Sequence, residues 1–333
     1  MKQFLTRLVF FALPGVISLT VLLSSYLYFD PFKVLRSYTN FSYPYVITNR
    51  DYISTTMFNK NYKKNNYNSF IFGSSRTLAY RPDSWHNYLS EDDKPFMYDA
   101  SGESIYGIYS KLKYLTSKNI NIKNALLIFC KDVTFSNSEN HKGHLFIKHP
   151  DISGESELSF QLEFLKAYLS PKFFFNFYSY KILGEYKPFM TGYIENRRVT
   201  MDTITNEIHI IDQENEIAQN PAAYYLKRKN LFYERKGEQI DTVQRINSKQ
   251  LIMLREIKRI LEENKTNYKV VISPLYDQVK FSTYDMSVLK NLFANNLFDF
   301  SGKNKFTDSV TNYFETSHYR PVVGDSILKI IYK

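Results

Sequence analysis

The segment Ser69-Phe70-Ile71-Phe72-Gly73-Ser74-Ser75-Arg76 joins a short apolar run to a Gly-Ser-Ser turn. The apolar run predicts a short β-strand, and glycine permits a tight turn directly after it. In open α/β sheets, functional sites form at the carboxyl ends of the strands. The segment can therefore present a serine hydroxyl at such an end.

Further strand and helix patterns follow this segment along the chain. Apolar runs predict four more strands, at residues 95–98, 125–130, 268–274 and 297–300. Apolar residues at helical spacing predict helices at residues 103–115, 251–261 and 322–332. Strands that alternate with helices indicate a parallel sheet covered by helices on both faces. The sequence thus predicts an α/β fold with three layers.

The region from about residue 135 to residue 240 interrupts this alternation. It contains an aromatic block at residues 173–178 and a predicted hairpin formed by residues 198–202 and 208–211. We interpret the region as an inserted α+β unit that packs on the core and can form a wall of the site. The predicted organisation is an anchor at 1–29, an irregular connecting segment at 30–66, and an α/β domain at 67–333 that carries the insertion.

Residues 8–29 contain no charged side chain. A helix of that length spans about 33 Å, which is enough to cross the hydrocarbon core of a bilayer. A cleaved signal peptide is the alternative, but the stretch is longer than a usual signal core and no clear cleavage site follows it. We favour an uncleaved single-pass anchor, with the globular domain outside the cytoplasm in the periplasm or at the cell surface.

The composition limits the classes of partner and cofactor. The net charge of +10 fits an anionic surface or substrate, and no motif supports nucleic-acid binding. The single cysteine, Cys130, lies in a predicted core strand, so neither a disulfide nor a CxxC site can form. His141, His144 and His149 have no standard metal-site spacing. We expect no metal and no cofactor.

Two distant residues could together form a nucleophilic site. A serine hydroxyl such as that of Ser75 needs a base to take its proton, and histidine is suited to this because its pKa lies near neutrality. The segment Glu315-Thr316-Ser317-His318-Tyr319 could supply both an imidazole and a carboxylate that orients it. Each motif also has a simpler interpretation. The Gly-Ser-Ser turn can be a strand-to-helix turn with a serine N-cap, and His318 can be a surface or half-buried histidine.

These motifs resemble the SGNH/GDSL hydrolase superfamily, and in particular its membrane-anchored branch whose first block reads Gly-Ser-Ser-Arg, akin in layout to the D-alanyl-transfer protein DltD. The resemblance covers roughly residues 67–132 and 250–332. It implies a flavodoxin-like sheet, with Ser75 as the nucleophile, His318 as the base and Glu315 in the place of the usual aspartate. Asp30-Pro31-Phe32, after the predicted anchor, also looks like this branch.

The resemblance leaves other parts of the site open. It assigns oxyanion-hole N–H groups to Ser75 and to Gly102, which follows Tyr98-Asp99-Ala100-Ser101. The third family block, Gly-x-Asn-Asp, is not recognisable near residues 128–132. Arg76 could bind an anionic group of the substrate or form a salt bridge that steadies the turn. Asp299 and Asp308 are alternative carboxylates to Glu315.

The resulting expectation is a membrane-anchored serine esterase or O-acyltransferase that acts on acyl esters of a cell-envelope glycan, and a membrane-bound acyl-transfer protein is a candidate partner. Two alternatives remain. One is a non-catalytic scaffold or glycan-binding protein in surface-polysaccharide assembly, whose aromatic insertion would bind a sugar or a partner. The other is a protein that attaches to the membrane surface through basic residues and has no site.

Overall fold

The computed structural model describes residues 1–4 and 6–333 in full. The helices are α1 (Lys2–Phe29), α2 (Arg50–Asn65), α3 (Pro82–His86), α4 (Ile105–Ser117), α5 (Pro150–Ser153), α6 (Glu157–Leu169), α7 (Pro171–Leu183), α8 (Ile211–Gln219), α9 (Pro221–Lys227), α10 (Ser248–Glu263), α11 (Thr283–Phe293) and α12 (Pro321–Ile331). The strands are β1 (Ser69–Gly73), β2 (Pro95–Met97), β3 (Asn124–Phe129), β4 (Val199–Met201), β5 (Ile208–Ile210), β6 (Gln239–Ile240), β7 (Asn267–Ile272), β8 (Val279–Lys280), β9 (Leu297–Asp299), β10 (Tyr313–Glu315) and β11 (His318–Tyr319).

The centre of the fold is a 5-stranded sheet in the order β2-β1-β3-β7-β9. Every neighbouring pair in it is parallel. The five predicted strands and the parallel sheet are therefore confirmed. Numbered along the chain, these five strands have the order 2-1-3-4-5, which is one of the common orders of doubly wound sheets.

Helices cover both faces of the sheet, as the alternation predicts. Phe70 and Phe72 of β1 pack in a cluster with α2, α4, α10 and α11, whereas Ile71 packs in a second cluster with α3 and α12. Successive side chains of a strand point to opposite faces, so β1 contributes side chains to both clusters. This explains why the strands are apolar runs without a polar alternation.

The predicted irregular segment at 30–66 is wrong over its second half, where α2 lies. Asn49 caps this helix by accepting a hydrogen bond from the Tyr52 N–H at 2.8 Å, and Ile53, Met57 and Phe58 pack on the sheet. The segment is rich in Asn, Thr and Lys, so its apolar face is narrow and the composition resembles a loop. The asparagine cap was the available signal for a helix start.

The region 135–240 contains helices α5 to α9, and the aromatic block lies within α7. The predicted hairpin is confirmed as β4 and β5, which pair antiparallel with Thr200 opposite His209. Buried aromatic residues of α6 and α7 form a cluster of their own around Phe32 and Val46. This part of the chain thus has its own packing beside the sheet.

Helix α1 is long and apolar enough to cross a membrane by length and composition. It ends at Asp30, whose left-handed backbone turns the chain away from the helix axis. The Asp30 carboxylate accepts hydrogen bonds from the N–H groups of Val34 and Leu35, at 3.0 and 3.1 Å. Phe32 is then buried beside Phe164 of α6. The turn therefore attaches the end of α1 to the globular part.

Candidate active site

Ser75 begins a 3-10 helix, Ser75–Ala79, directly after β1. Gly73 ends β1 with φ at +151°, and a Cβ there would lie 2.7 Å from the Ile128 carbonyl oxygen of β3. No other residue fits this close approach, so glycine sets the turn that lifts the chain off the sheet. Ser75 consequently lies at the carboxyl end of β1, at the edge where sites of parallel sheets form.

His318 lies on a small antiparallel hairpin of β10 and β11, in which Glu315 stands opposite His318. Helix α12 follows, and its Gly324 lies against the 3-10 helix that carries Ser75. A Cβ at Gly324 would be only 1.9 Å from the Ala79 carbonyl oxygen. The glycine therefore allows the C-terminal part of the chain to pack directly against the turn after β1.

This packing brings three predicted site residues together. The Ser75 Oγ lies 2.7 Å from His318 Nε2. The other ring nitrogen, Nδ1, forms a hydrogen bond with Glu315 Oε1. The second carboxylate oxygen accepts the Ser317 N–H at 2.7 Å, which fixes the carboxylate plane. Glutamate therefore reaches the imidazole despite its extra methylene.

The charge state of Glu315 follows from its surroundings. Burial alone would raise the pKa of this carboxyl group, but the hydrogen bond and charge of His318, the Ser317 N–H and the charge of Arg76 together lower its pKa below the usual value. Glu315 is thus ionised at neutral pH and can only accept hydrogen bonds. His318 Nδ1 must then carry the proton, which leaves Nε2 free to accept the proton of Ser75.

Of the two residues predicted to supply oxyanion-hole N–H groups, Ser75 lines the cavity and Gly102 does not. Among the described residues, neither the Ser75 nor the Gly102 N–H has a hydrogen-bond acceptor in the protein. Gly102 has φ at +60° and follows Ser101, which lines the cavity in front of Ser75, whereas Gly102 itself is outside that lining. Both donors are therefore available, and Gly102 lies one residue beyond the cavity wall.

Arg76 is directed away from the cavity. Its Nε donates to the Ser317 carbonyl oxygen at 3.0 Å, and its Nη2 lies 3.5 Å from Asp132. The side chain is buried and does not line the cavity. These contacts favour the second of the two interpretations, in which Arg76 joins the turn after β1 to the His318 hairpin.

The remaining candidates lie outside the site. Asp299 accepts hydrogen bonds from Ser301, and Asp308 accepts one from Gln278 at 3.2 Å. Cys130 is buried after β3, as predicted for a core residue. The segment after it supplies Asp132 to Arg76 rather than an asparagine to the site. The described part of the chain holds no group of three or more side chains suited to a metal ion.

A cavity of about 630 Å³ lies in front of Ser75 and His318. The insertion forms much of its wall through the hairpin of β4 and β5 and the start of α8. The lining includes the apolar residues Leu78, Val199, Met201, Ile208, Ile210 and Phe314. It also includes the polar residues Arg50, Arg81, Asp99, Glu195, Arg197 and His209. The cavity thus offers both an apolar wall and a set of hydrogen-bonding groups.

Sequence reasoning missed these polar wall residues. Arg50 and Asp99 form a buried ion pair at 2.7 Å, and Arg197 pairs with Glu195 at the same distance. His209 Nε2 lies 3.3 Å from Glu207 Oε1. No catalytic motif marks Arg50, Arg197 or His209, which join the cavity wall only through tertiary packing.

Glu207 lies behind this wall and is almost fully buried. Burial raises the pKa of this carboxyl group to about 7, against the opposing charge of Arg81. The negative charges of nearby Asp83 and Asp202 contribute to this increase. Glu207 thus changes its charge near neutral pH, next to the cavity-lining His209.

No protein-family model matches the chain, and a search of curated proteins finds no significant match. The functional assignment therefore depends on the geometry of the site.

Proposed function

We propose that the chain is a membrane-anchored serine esterase or O-acyltransferase with an SGNH-type α/β fold. The observation that carries the proposal is the hydrogen-bonded series Ser75, His318 and Glu315, with 2.7 Å between the Ser75 Oγ and His318 Nε2. The series faces a cavity at the carboxyl end of a parallel sheet. The strand order and the position of the serine after β1 support the SGNH-type assignment.

The reaction starts with attack of the Ser75 Oγ on an ester carbonyl carbon, while His318 Nε2 takes the hydroxyl proton. Glu315 stabilises the imidazolium ion through Nδ1. The oxyanion is stabilised by the N–H groups of Ser75 and Gly102. The bond to the leaving alcohol then breaks, and His318 returns the proton to that alcohol. This leaves an acyl group on Ser75.

The acyl-enzyme is resolved by a second attack. His318 takes a proton from water or from an acceptor hydroxyl, and the new oxygen bonds to the acyl carbon. The bond from that carbon to the Ser75 Oγ then breaks, and His318 gives the proton to the Ser75 Oγ. Water gives hydrolysis, and a sugar hydroxyl gives transfer. The apolar lining residues suit a small acyl group, and the paired arginines and acids of the lining suit the hydroxyl groups of a glycan. The helix α1 favours a substrate at the cell envelope, with the domain outside the cytoplasm and a membrane-bound acyl donor as partner.

The test uses the full-length chain in detergent and a fluorophosphonate probe, which labels activated serines. The wild type and Ser101→Ala should be labelled, because Ser101 lines the same cavity without contacting His318. Ser75→Ala should not be labelled. Equal labelling of the wild type and Ser75→Ala would falsify the assignment.

A second candidate is a non-catalytic scaffold or glycan-binding protein. The observation in its favour is that Asp132 occupies the region of the third family block and pairs with Arg76, so no asparagine side chain joins the oxyanion hole. This candidate predicts no probe labelling of the folded wild type, together with glycan binding that Ser75→Ala leaves unchanged.

A further inference from the structure

Helices α6 and α7 have two apolar faces. Phe160, Phe164, Phe173 and Phe177 point inward and are buried. The opposite side exposes a second set, Leu158, Leu162, Leu169, Phe175 and Ile182, and Phe189 of the following 3-10 turn lies beside Phe175; we call these six residues the outer apolar face. Phe175 is 62% exposed and Ile182 is 82% exposed. Helices on the surface of a globular protein normally have one apolar face, so the outer one needs a partner.

The outer apolar face is continuous along α6. Leu158, Leu162 and Leu169 recur at intervals that place them on one side of the helix. Single exposed apolar residues are normal on protein surfaces, but a stripe that spans a whole helix and extends to a second helix is not.

The inward side of α6 and α7, opposite the outer apolar face, packs against the end of α1. The rings of Tyr26 and Tyr168 are 5.0 Å apart, and those of Phe29 and Phe177 are 5.5 Å apart. The Tyr168 hydroxyl also donates to the Ser25 Oγ at 3.0 Å. The connection between α6 and α7 is therefore packed against α1 at the level of Ser25.

The length of α1 sets the depth of that contact in a membrane. Residues 8–29 form a helical stretch of about 33 Å, and the hydrocarbon core is about 30 Å thick. Nearly all of the stretch is thus needed to cross the bilayer. Ser25 lies about 6 Å before the end of α1 at Phe29. The connection between α6 and α7 consequently reaches the depth of the membrane interface.

Basic and aromatic residues surround the same region. Lys181 of α7 has its Nζ 4.2 Å from the centre of the Tyr45 ring and 4.9 Å from that of Phe29. Lys172, at the start of α7, is exposed. Aromatic rings and lysines are enriched where proteins meet lipid headgroups, and lysines there attract anionic lipids.

We propose that the outer apolar face lies in the headgroup region of the bilayer, so that the domain is held on the membrane by α1 and by α6–α7 together. Apolar side chains of an interfacial helix bury several ångströms into the boundary of headgroups and acyl chains. The inference goes beyond the proposed function and does not depend on the reactivity of Ser75.

The proposed contact between the outer apolar face and the lipid headgroups also sets the height of the cavity above the membrane. Val46, which packs with α6 and α7, forms an isolated bridge with Ile194. The neighbouring residues Ile47 and Glu195 line the cavity. Two chain segments therefore join the membrane-facing helices to the cavity wall, which holds the cavity at a constant height above the lipid.

The experiment uses the full chain in nanodiscs that contain zwitterionic and anionic phospholipids. The chain has one cysteine, the buried Cys130, so an environment-sensitive NBD dye can be attached to an introduced cysteine and the unmodified chain gives the background. The test variants are Phe175→Cys and Ile182→Cys. The matched control is Ile330→Cys on α12. This helix packs in the core cluster around Ile71 and not in the cluster of α6 and α7.

We expect the dye at positions 175 and 182 to emit at shorter wavelength than the dye at 330, and to lose emission when nitroxide-labelled lipids are included. Emission at 175 and 182 that matches the aqueous control would overturn the proposal. A shifted emission without quenching by the labelled lipids would also overturn it, because it would show a protein partner, such as a second copy, on this face.

Discussion

Ser75 and His318 are 243 positions apart in the sequence, yet the Ser75 Oγ and His318 Nε2 are 2.7 Å apart in the fold. Three contacts produce this meeting: Gly73 lets the chain turn above β3, Gly324 lets α12 pack on the turn, and Arg76 binds the Ser317 carbonyl oxygen. The site therefore depends on backbone approach as much as on the reacting side chains.

Glu315→Gln should lower the rate of probe labelling by about 10³–10⁴-fold, because the amide cannot stabilise the imidazolium ion and can favour the wrong tautomer. The measurement is the labelling rate of the full chain at neutral pH. Asp299→Asn and Asp308→Asn are matched controls that should leave the rate unchanged. A wild-type rate in Glu315→Gln would remove Glu315 from the site.

Gly324→Ala should destabilise the protein by ~1–3 kcal/mol, because the added methyl group must push α12 away from the Ala79 carbonyl oxygen. The thermal unfolding midpoint should fall, and the labelling rate of Ser75 should fall with it. Val322→Ala, at an exposed position of the same helix, should change neither. The account of how α12 positions the site fails if Gly324→Ala folds and reacts like the wild type.

Arg76→Lys should lower the turnover of a neutral and of an anionic ester to the same extent. A lysine keeps the charge, but it cannot reproduce the directed contacts to Ser317 and Asp132. The readout is kcat and KM for the two esters. A KM that rises only for the anionic ester would show instead that Arg76 binds substrate.

The pKa of Glu207 predicts a dependence of stability on pH. Burial raises it from 4.5 in the unfolded chain to about 7 in the folded state. The folded state therefore binds a proton more tightly, and the resulting stabilisation is complete below the unfolded value and is lost as the pH rises through the folded value. Thermal midpoints should fall between about pH 4.5 and pH 7.

Glu207→Gln is the test of that dependence, since glutamine has a similar shape and no titratable proton. The variant should show a shallower decline of the midpoint over this pH range and should be at least as stable as the wild type above it. The same decline in both proteins would assign the pH dependence to other groups.

The sequence alone predicts the strands of the central sheet, but it does not predict helix α2. Residues 70–72 and 125–130 are apolar over their whole length, and residues 268–274 contain only Lys269 and Ser273 as polar side chains, because strands buried on both faces leave little room for polar alternation. In α2 the buried residues are Ile53, Met57 and Phe58 among polar ones, so tertiary packing rather than composition determines the helix.

The same contrast applies to the candidate site. Ser75, His318 and Glu315 lie in short motifs that a family resemblance could single out, and the fold brings all three together. The polar cavity wall, with Arg197 and His209, has no motif because it forms only when the insertion folds over the sheet. The direction of Arg76 was likewise undecided, since a guanidinium beside a turn can face either side.

The central claim is that Ser75 forms a covalent acyl intermediate. The most direct measurement is intact-protein and peptide mass spectrometry of the full chain after brief incubation with an activated acetyl ester. The account predicts one added acetyl group on the peptide that contains Ser75, absent in Ser75→Ala and formed far more slowly in His318→Ala. An unmodified wild-type chain, or the same adduct in Ser75→Ala, would contradict it.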